Sequence, residues 1–170
     1  MMKEQEFNHV FTSKSIIIPD LNPELFLQQK SKAFSFIHQY MFDDKESFTP
    51  SNKLVPGTRK RIQVFNRKSG QSGTNMLSFI KEQNGLFPNL SGILMAYPII
   101  REKVFRSAFK DKYNLEHGIN LMAPDEYAEG RSWVASMQFM YGKKPSLYPQ
   151  DWINVRLIPA YNYYFFFLCD

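Results

Sequence analysis

The sequence predicts a single α+β domain, in which a mostly antiparallel sheet, drawn largely from C-terminal strands, packs against two or three amphipathic helices. Three observations support this. The chain of 170 residues has the length of one ordinary domain with room for a good core. Hydrophobic residues make up 44% and aromatics 16%, with 16 Phe and 9 Tyr, which excludes a disordered polymer. Apolar residues recur at helical spacing over 25–42 and 99–113, whereas 132–141, 153–158 and 160–169 alternate or run aromatic as strands do.

Residues 1–9 read as a flexible polar lead-in, and 10–170 as the domain. Val10 to Ile18 reads as a strand, its β-branched Ile16-Ile17-Ile18 stopped by Pro19. Asn22, Pro23 and Glu24 are expected to start a helix: an N-cap acceptor, a proline at N1 and a carboxylate at the positive dipole end. Helical spacing carries it to about Phe42. The polar, proline-bearing segment 46–58 reads as a mobile loop. Lys60 to Asn66 is then a strand, 67–73 a glycine-containing loop, and Thr74 to Asn84 a helix closed by Gly85 at C′.

Residues 86–97 fit either a helix or a short buried strand, with Pro98 expected to break either one. Ile99 to Tyr113 follows as an amphipathic helix, with Ile100, Val104, Phe105, Ala108 and Phe109 inward and a stripe of Lys103, Arg106 and Lys110 outward. Gly118 to Met122 reads as a strand, and Pro124 opens a helical turn that ends at Gly130. Ser132 to Tyr141 is expected as a strand, Gly142 to Ser146 as a turn, Ile153 to Ile158 as a strand, and Ala160 to Cys169 as a last strand that must be paired and covered.

Charge is localised. The chain carries +5 overall, yet Ser47 to Lys81 contains seven Lys or Arg and no Asp or Glu. A strand running through a glycine loop into a helix N-terminus presents backbone N–H groups and a positive dipole end, the usual components of an anion site. The candidate residues are Arg59, Lys60, Arg61, Arg67, Lys68, Gly70 and Gly73, extended by the stripe Lys103, Arg106 and Lys110. The leading expectation is a small non-enzymatic binding protein, an inhibitor or regulator in type. It engages nucleic acid, or an acidic surface of a nucleic-acid-handling protein, through residues 59–73.

The loop Arg67-Lys68-Ser69-Gly70-Gln71-Ser72 resembles the acyl-CoA-binding turn of the GNAT acetyltransferases, whose pattern is Gln/Arg-x-x-Gly-x-Gly/Ala at a helix start. Arg67 and Gly70 match, and Ser72 departs. The resemblance implies an N-acyltransferase with acetyl-CoA as cofactor, bound at 67–75; outside it, no cofactor is expected. A protein–protein module whose charge serves only solubility is a third reading, with Trp133, Trp152 and the terminal tyrosines as anchors or core.

Other chemistries find little support. The loop is neither a GxGxxG nor a P-loop motif, and no G-x-S-x-G occurs. His9, His38 and His117 share no metal-ligand spacing, and His117 with Glu116 and Asp125 lacks a nucleophile. Cys169 is the one cysteine, so no internal disulfide forms. No apolar run approaches the roughly 20 residues that span a bilayer. The first nine residues lack a signal-peptide pattern, so a cytoplasmic protein without membrane partners is expected.

Overall fold

The computed structural model describes residues 7–20, 34–38, 54–67, 73–124, 133–151 and 163–170. Of the helix expected from Asn22 to about Phe42, residues 22–33 and 39–42 lie outside these residues, as do 125–130 of the expected turn, the strand expected over 153–158 and Trp152.

The strands are β1 (Phe7–Thr12), β2 (Ile16–Ile17), β3 (Phe36–Ile37), β4 (Arg59–Arg67), β5 (Ile119–Ala123), β6 (Trp133–Phe139), β7 (Ser146–Asp151) and β8 (Tyr163–Cys169). They form one eight-stranded sheet in the order β1-β4-β8-β5-β6-β7-β3, with β2 pairing the start of β4. This corrects the predicted class. The sheet is mixed, because β5 runs parallel to β8 and β3 parallel to β7. It draws on both ends of the chain, and among the described residues only one helix is long, so the expected antiparallel C-terminal sheet on two or three amphipathic helices is not what forms. That helix, α2 (Asn89–Ile100), is apolar nearly all round; α1 (Gly73–Glu82) is shorter.

The sheet is centred on β8 because its sequence can be buried on both faces. Tyr163 to Leu168 are all buried, the unbroken apolar run that a doubly covered strand requires. Tyr164, Phe166 and Leu168 join Ile62, Val64, Leu121 and Met137 under Ile93, Ala96 and Ile100 of α2. Tyr163, Phe165 and Phe167 join Phe65 under Met76, Leu77, Phe79 and Ile80 of α1. Each buried Phe contributes about 1.5–3 kcal/mol by removing apolar area from water. Phe65 stacks on Phe167 with centroids 5.5 Å apart and meets Phe79 edge-on at 4.9 Å.

Several local expectations are corrected. Phe7 to His9 belong to β1 rather than to a lead-in, and the strand expected over Val10–Ile18 divides in two around Ser13. There the Ser13 hydroxyl accepts from Ile62 N–H, in place of a strand partner. Phe36-Ile37 is a short strand rather than helix, held to the sheet edge by Ser35 N–H donating to Pro145 O and His38 N–H to Leu147 O. Helix α2 continues through Pro98 instead of stopping there. The ring removes one N–H and crowds the preceding turn, and a π-helical segment, Arg101–Phe105, follows before the short α3 (Arg106–Ala108). Strand β7 contains Pro149 and begins at Ser146, which the sequence places in a turn. β3 covers only Ser146 and Leu147, so Pro149 sits where β7 has become an edge, the position at which a sheet tolerates proline.

Helix α1 closes differently from expectation as well. Gly85 N–H donates to Ile80 O and Asn84 N–H to Lys81 O, a Schellman arrangement whose left-handed C′ residue is Asn84, at φ 52. Gly85 is one place further on, where a Cβ would stand 2.6 Å from the Phe167 ring. Its role is close packing on β8.

Candidate functional site

Strand register fixes where each charge lies. β4 ends at Arg67 beside Phe7, and Asn66 pairs with Tyr164 at the start of β8. Tyr163 pairs with Asn120, and Ile119 with Phe139 at the end of β6. One end of the sheet therefore carries the backbone of Arg67, the starts of β5 and β8, and the β6–β7 hairpin; Arg59 is at the other. Eight residues of strand separate Arg59 from Arg67, about 26 Å at 3.3 Å per residue.

The predicted cations therefore do not converge. Arg59 and Arg61 are exposed on one face of β4, while Lys60 points to the other and pairs with the Asp170 carboxylate. Lys68 and Gly70 lie outside the described residues, and Gly73 is the first residue of α1. The strand–loop–helix order of the acyl-CoA resemblance is present, but its loop falls outside the described residues. Lys103 and Lys110 are exposed on the helical arm. Of the expected stripe, Arg106 lines a concavity, and Lys103 and Lys110 do not.

That concavity is an open groove of ≈ 1100 Å³ between the C-terminal half of the helical arm and the β6–β7 hairpin. Tyr97, Arg101, Glu102, Phe105, Arg106 and Phe109 line one side, and Phe139 to Pro145 the other. The π segment explains the first wall. Residues five apart on an α-helix point about 140° away from each other at 3.6 residues per turn. The i→i+5 bonding of a π-helix brings them onto the same side. Arg101 and Arg106 stand five apart across this segment, and both line the groove.

The second wall is the hairpin tip. Gly142 takes φ +72, Lys143 N–H donates to Met140 O, and the Ser35 hydroxyl donates to Lys144 O at 3.1 Å. Lys143 and Lys144 are left exposed on a turn anchored at both ends. The floor is aromatic, with Tyr97 stacked on Phe139 at 4.9 Å and Phe105 tilted against Phe139 at 4.4 Å. The Arg101 guanidinium lies 5.9 Å from the Tyr97 ring centre, a cation–π contact that holds the charge over the groove. Four cations face one carboxylate, Glu102, and none of the four makes an ion pair among the described residues.

Sequence reasoning found Arg106 and read Lys143-Lys144 only as turn; it missed Arg101, Tyr97 and Tyr141 as site residues. The legible signal was Tyr141-Gly142-Lys143-Lys144-Pro145, a cationic aromatic turn. The grouping of Arg101 with Arg106 depends on the π segment, which α-helical spacing conceals.

Other chemistry is sparse. Among the described residues no three His, Cys, Asp or Glu are placed to hold a metal. His117 is exposed and lies against Tyr113 with ring centres 4.3 Å apart. Two tyrosines are shifted. Burial, followed by the neighbouring Tyr163, pushes the Tyr148 phenol up to about 12, and its hydroxyl donates to Asn120 Oδ1. Burial, followed by Asp111, pushes the Tyr164 phenol up. Both are neutral side chains of the sheet and neither lines the groove. No helix among the described residues is long and apolar enough to cross a membrane.

No family model matches this chain, nor does any curated protein or solved structure.

Proposed function

We propose that the protein binds nucleic acid, with phosphates held between Arg101 and Arg106 on the helical arm and Lys143 and Lys144 on the hairpin. One observation carries the reading: four cations without carboxylate partners among the described residues line one groove whose floor is aromatic. Like charges gathered in one concavity repel one another, and a polyanion relieves that repulsion while releasing its own counterions. The half-buried Tyr97 and the exposed Tyr141 beside the cations offer stacking faces, which favours a ligand with bases over one that is recognised by charge alone.

Fluorescence anisotropy of a labelled oligonucleotide of mixed sequence tests the proposal. Four phosphate contacts predict that log K falls with log salt at a slope of about −2.8 for a single strand. Replacing Arg101, Arg106, Lys143 and Lys144 together by Ser should abolish binding, while replacing Arg59 and Arg61 should leave most of it. Absence of binding at low salt would refute the proposal, as would a fourfold variant that binds like the native protein.

A further inference from the structure

We infer that Tyr141 is a base-stacking platform, and that the groove consequently prefers single-stranded nucleic acid to duplex. This deepens the proposed function and rests on it. Tyr141 is 70% exposed, the highest value among the exposed large hydrophobic side chains of the described residues. A large ring left in water at a turn contributes nothing to the core, and here it stands on the groove rim next to both hairpin lysines.

Its mounting is rigid. Gln138 pairs with Ser146 at the base of the hairpin, and Lys143 N–H closes the turn on Met140 O. Phe109 meets the Tyr141 ring at 6.0 Å and 63° from the helical side. Such a contact fixes the ring's tilt by an edge-to-face approach and leaves ring surface for a second partner. Lys143 and Lys144 follow two and three residues later, so one short turn carries both an aromatic platform and phosphate-binding charge. Bases in a duplex are already stacked on one another and cannot reach such a platform without being extruded, whereas the bases of a single strand are free to do so.

The test compares native protein, Tyr141→Ala and Tyr141→Phe against a single-stranded oligonucleotide and the duplex of the same sequence. The expected result is tighter binding to the single strand by the native protein. Tyr141→Ala should lose about 10- to 100-fold on the single strand alone, the range that stacking on one base supplies. Its salt slope should be unchanged, since the four cations remain, and Tyr141→Phe should bind as the native protein does. A 2-aminopurine oligonucleotide should be quenched by native protein and by Tyr141→Phe, but not by Tyr141→Ala. Failure of native protein to bind either strand form overturns the functional reading itself. Salt-dependent binding with equal affinity for single strand and duplex, or a Tyr141→Ala variant that loses nothing or loses equally on both, leaves that reading standing and overturns this inference. Melting of the variants beside the native protein separates a lost platform from a damaged fold.

Discussion

Alanine at Gly118 and alanine at Gly142 are the same chemical change at two positions bordering the groove, and the structure predicts very different costs. Gly118 has φ 79 and ψ −175, a region essentially reserved for glycine. A Cβ there would stand 2.5 Å from Phe139 O and 2.6 Å from Met140 Sδ. The thioether can swing away, but the carbonyl belongs to a strand whose residue Phe139 pairs with Ile119, so the clash cannot be relieved locally. Backbone strain of about 1–3 kcal/mol and overpacking of about 1–3 kcal/mol together give about 4 kcal/mol. Gly142 has φ +72 with nothing within 4 Å of the added carbon, so only the left-handed penalty of about 1–2 kcal/mol applies. At 170 residues each kcal/mol lowers Tm by about 2–4 °C. Gly118→Ala should therefore melt about 8–16 °C lower, and Gly142→Ala about 2–8 °C lower. Differential scanning calorimetry of the two variants with native protein decides the matter. If Gly118→Ala melts no lower than Gly142→Ala, the corner leading into β5 does not approach the hairpin as described, and the anchoring of the second groove wall fails with it.

Two further predictions concern polar groups buried on the sheet. Ser136 is fully buried on β6 and its hydroxyl has no hydrogen-bond partner among the described residues, so Ser136→Ala removes an uncompensated desolvation cost and should raise stability by about 1 kcal/mol, read as a small rise in Tm. A fall in Tm would show that the hydroxyl is satisfied. The raised phenols bear on alkaline stability. Tyr148 titrates near 12 in the folded protein against 10 in the unfolded chain, so between those values the native state holds the proton that the unfolded state has lost. Stability is then fully present below pH 10 and declines from pH 10 to 12, with Tyr164 adding to the same decline. Chemical denaturation across pH 8 to 12 should show the decline, and Tyr148→Phe should flatten it; an unchanged slope in that variant would contradict the assignment.

The elements that could be read from sequence are those whose pattern leaves one physical solution. The aromatic run ending at Leu168 can be stable only when paired and covered, and it became the central strand. Lys60 to Asn66, Gly118 to Met122 and Ser132 to Tyr141 read as strands between turn signals, and they overlap the observed β4, β5 and β6 respectively. The missed elements depend on partners that local pattern does not encode. Phe36-Ile37 is too short to show a period, and it is a strand only because Pro145 and Leu147 offer carbonyls to it. Pro149 argues against a strand everywhere except at an edge, and among the described residues β3 pairs β7 at Ser146 and Leu147 alone, which leaves Pro149 on an edge. Pro98 argues for a break, and α2 instead continues through it into a π segment.

The same reasoning explains why the densest run of charge did not become the candidate site. A strand rises about 3.3 Å per residue and turns successive side chains to opposite faces. A basic sequence laid on β4 is thus drawn out along the sheet and divided between its two sides. Lys60, pointing away from Arg59 and Arg61, is further engaged by Asp170. A helical wall works in the opposite direction, because 1.5 Å of rise per residue and a repeating face compress charge. The π segment compresses it further by turning Arg101 and Arg106, 140° apart on a regular α-helix, into neighbours. The opposing wall comes from a turn some forty residues away in sequence, where Lys143 and Lys144 stay solvated because Pro145, not they, packs inward. Summed charge along a sequence window therefore measures the wrong quantity. What decides a polyanion site is how many cations share one concave face without carboxylate partners, and that number is set by helix geometry and sheet register.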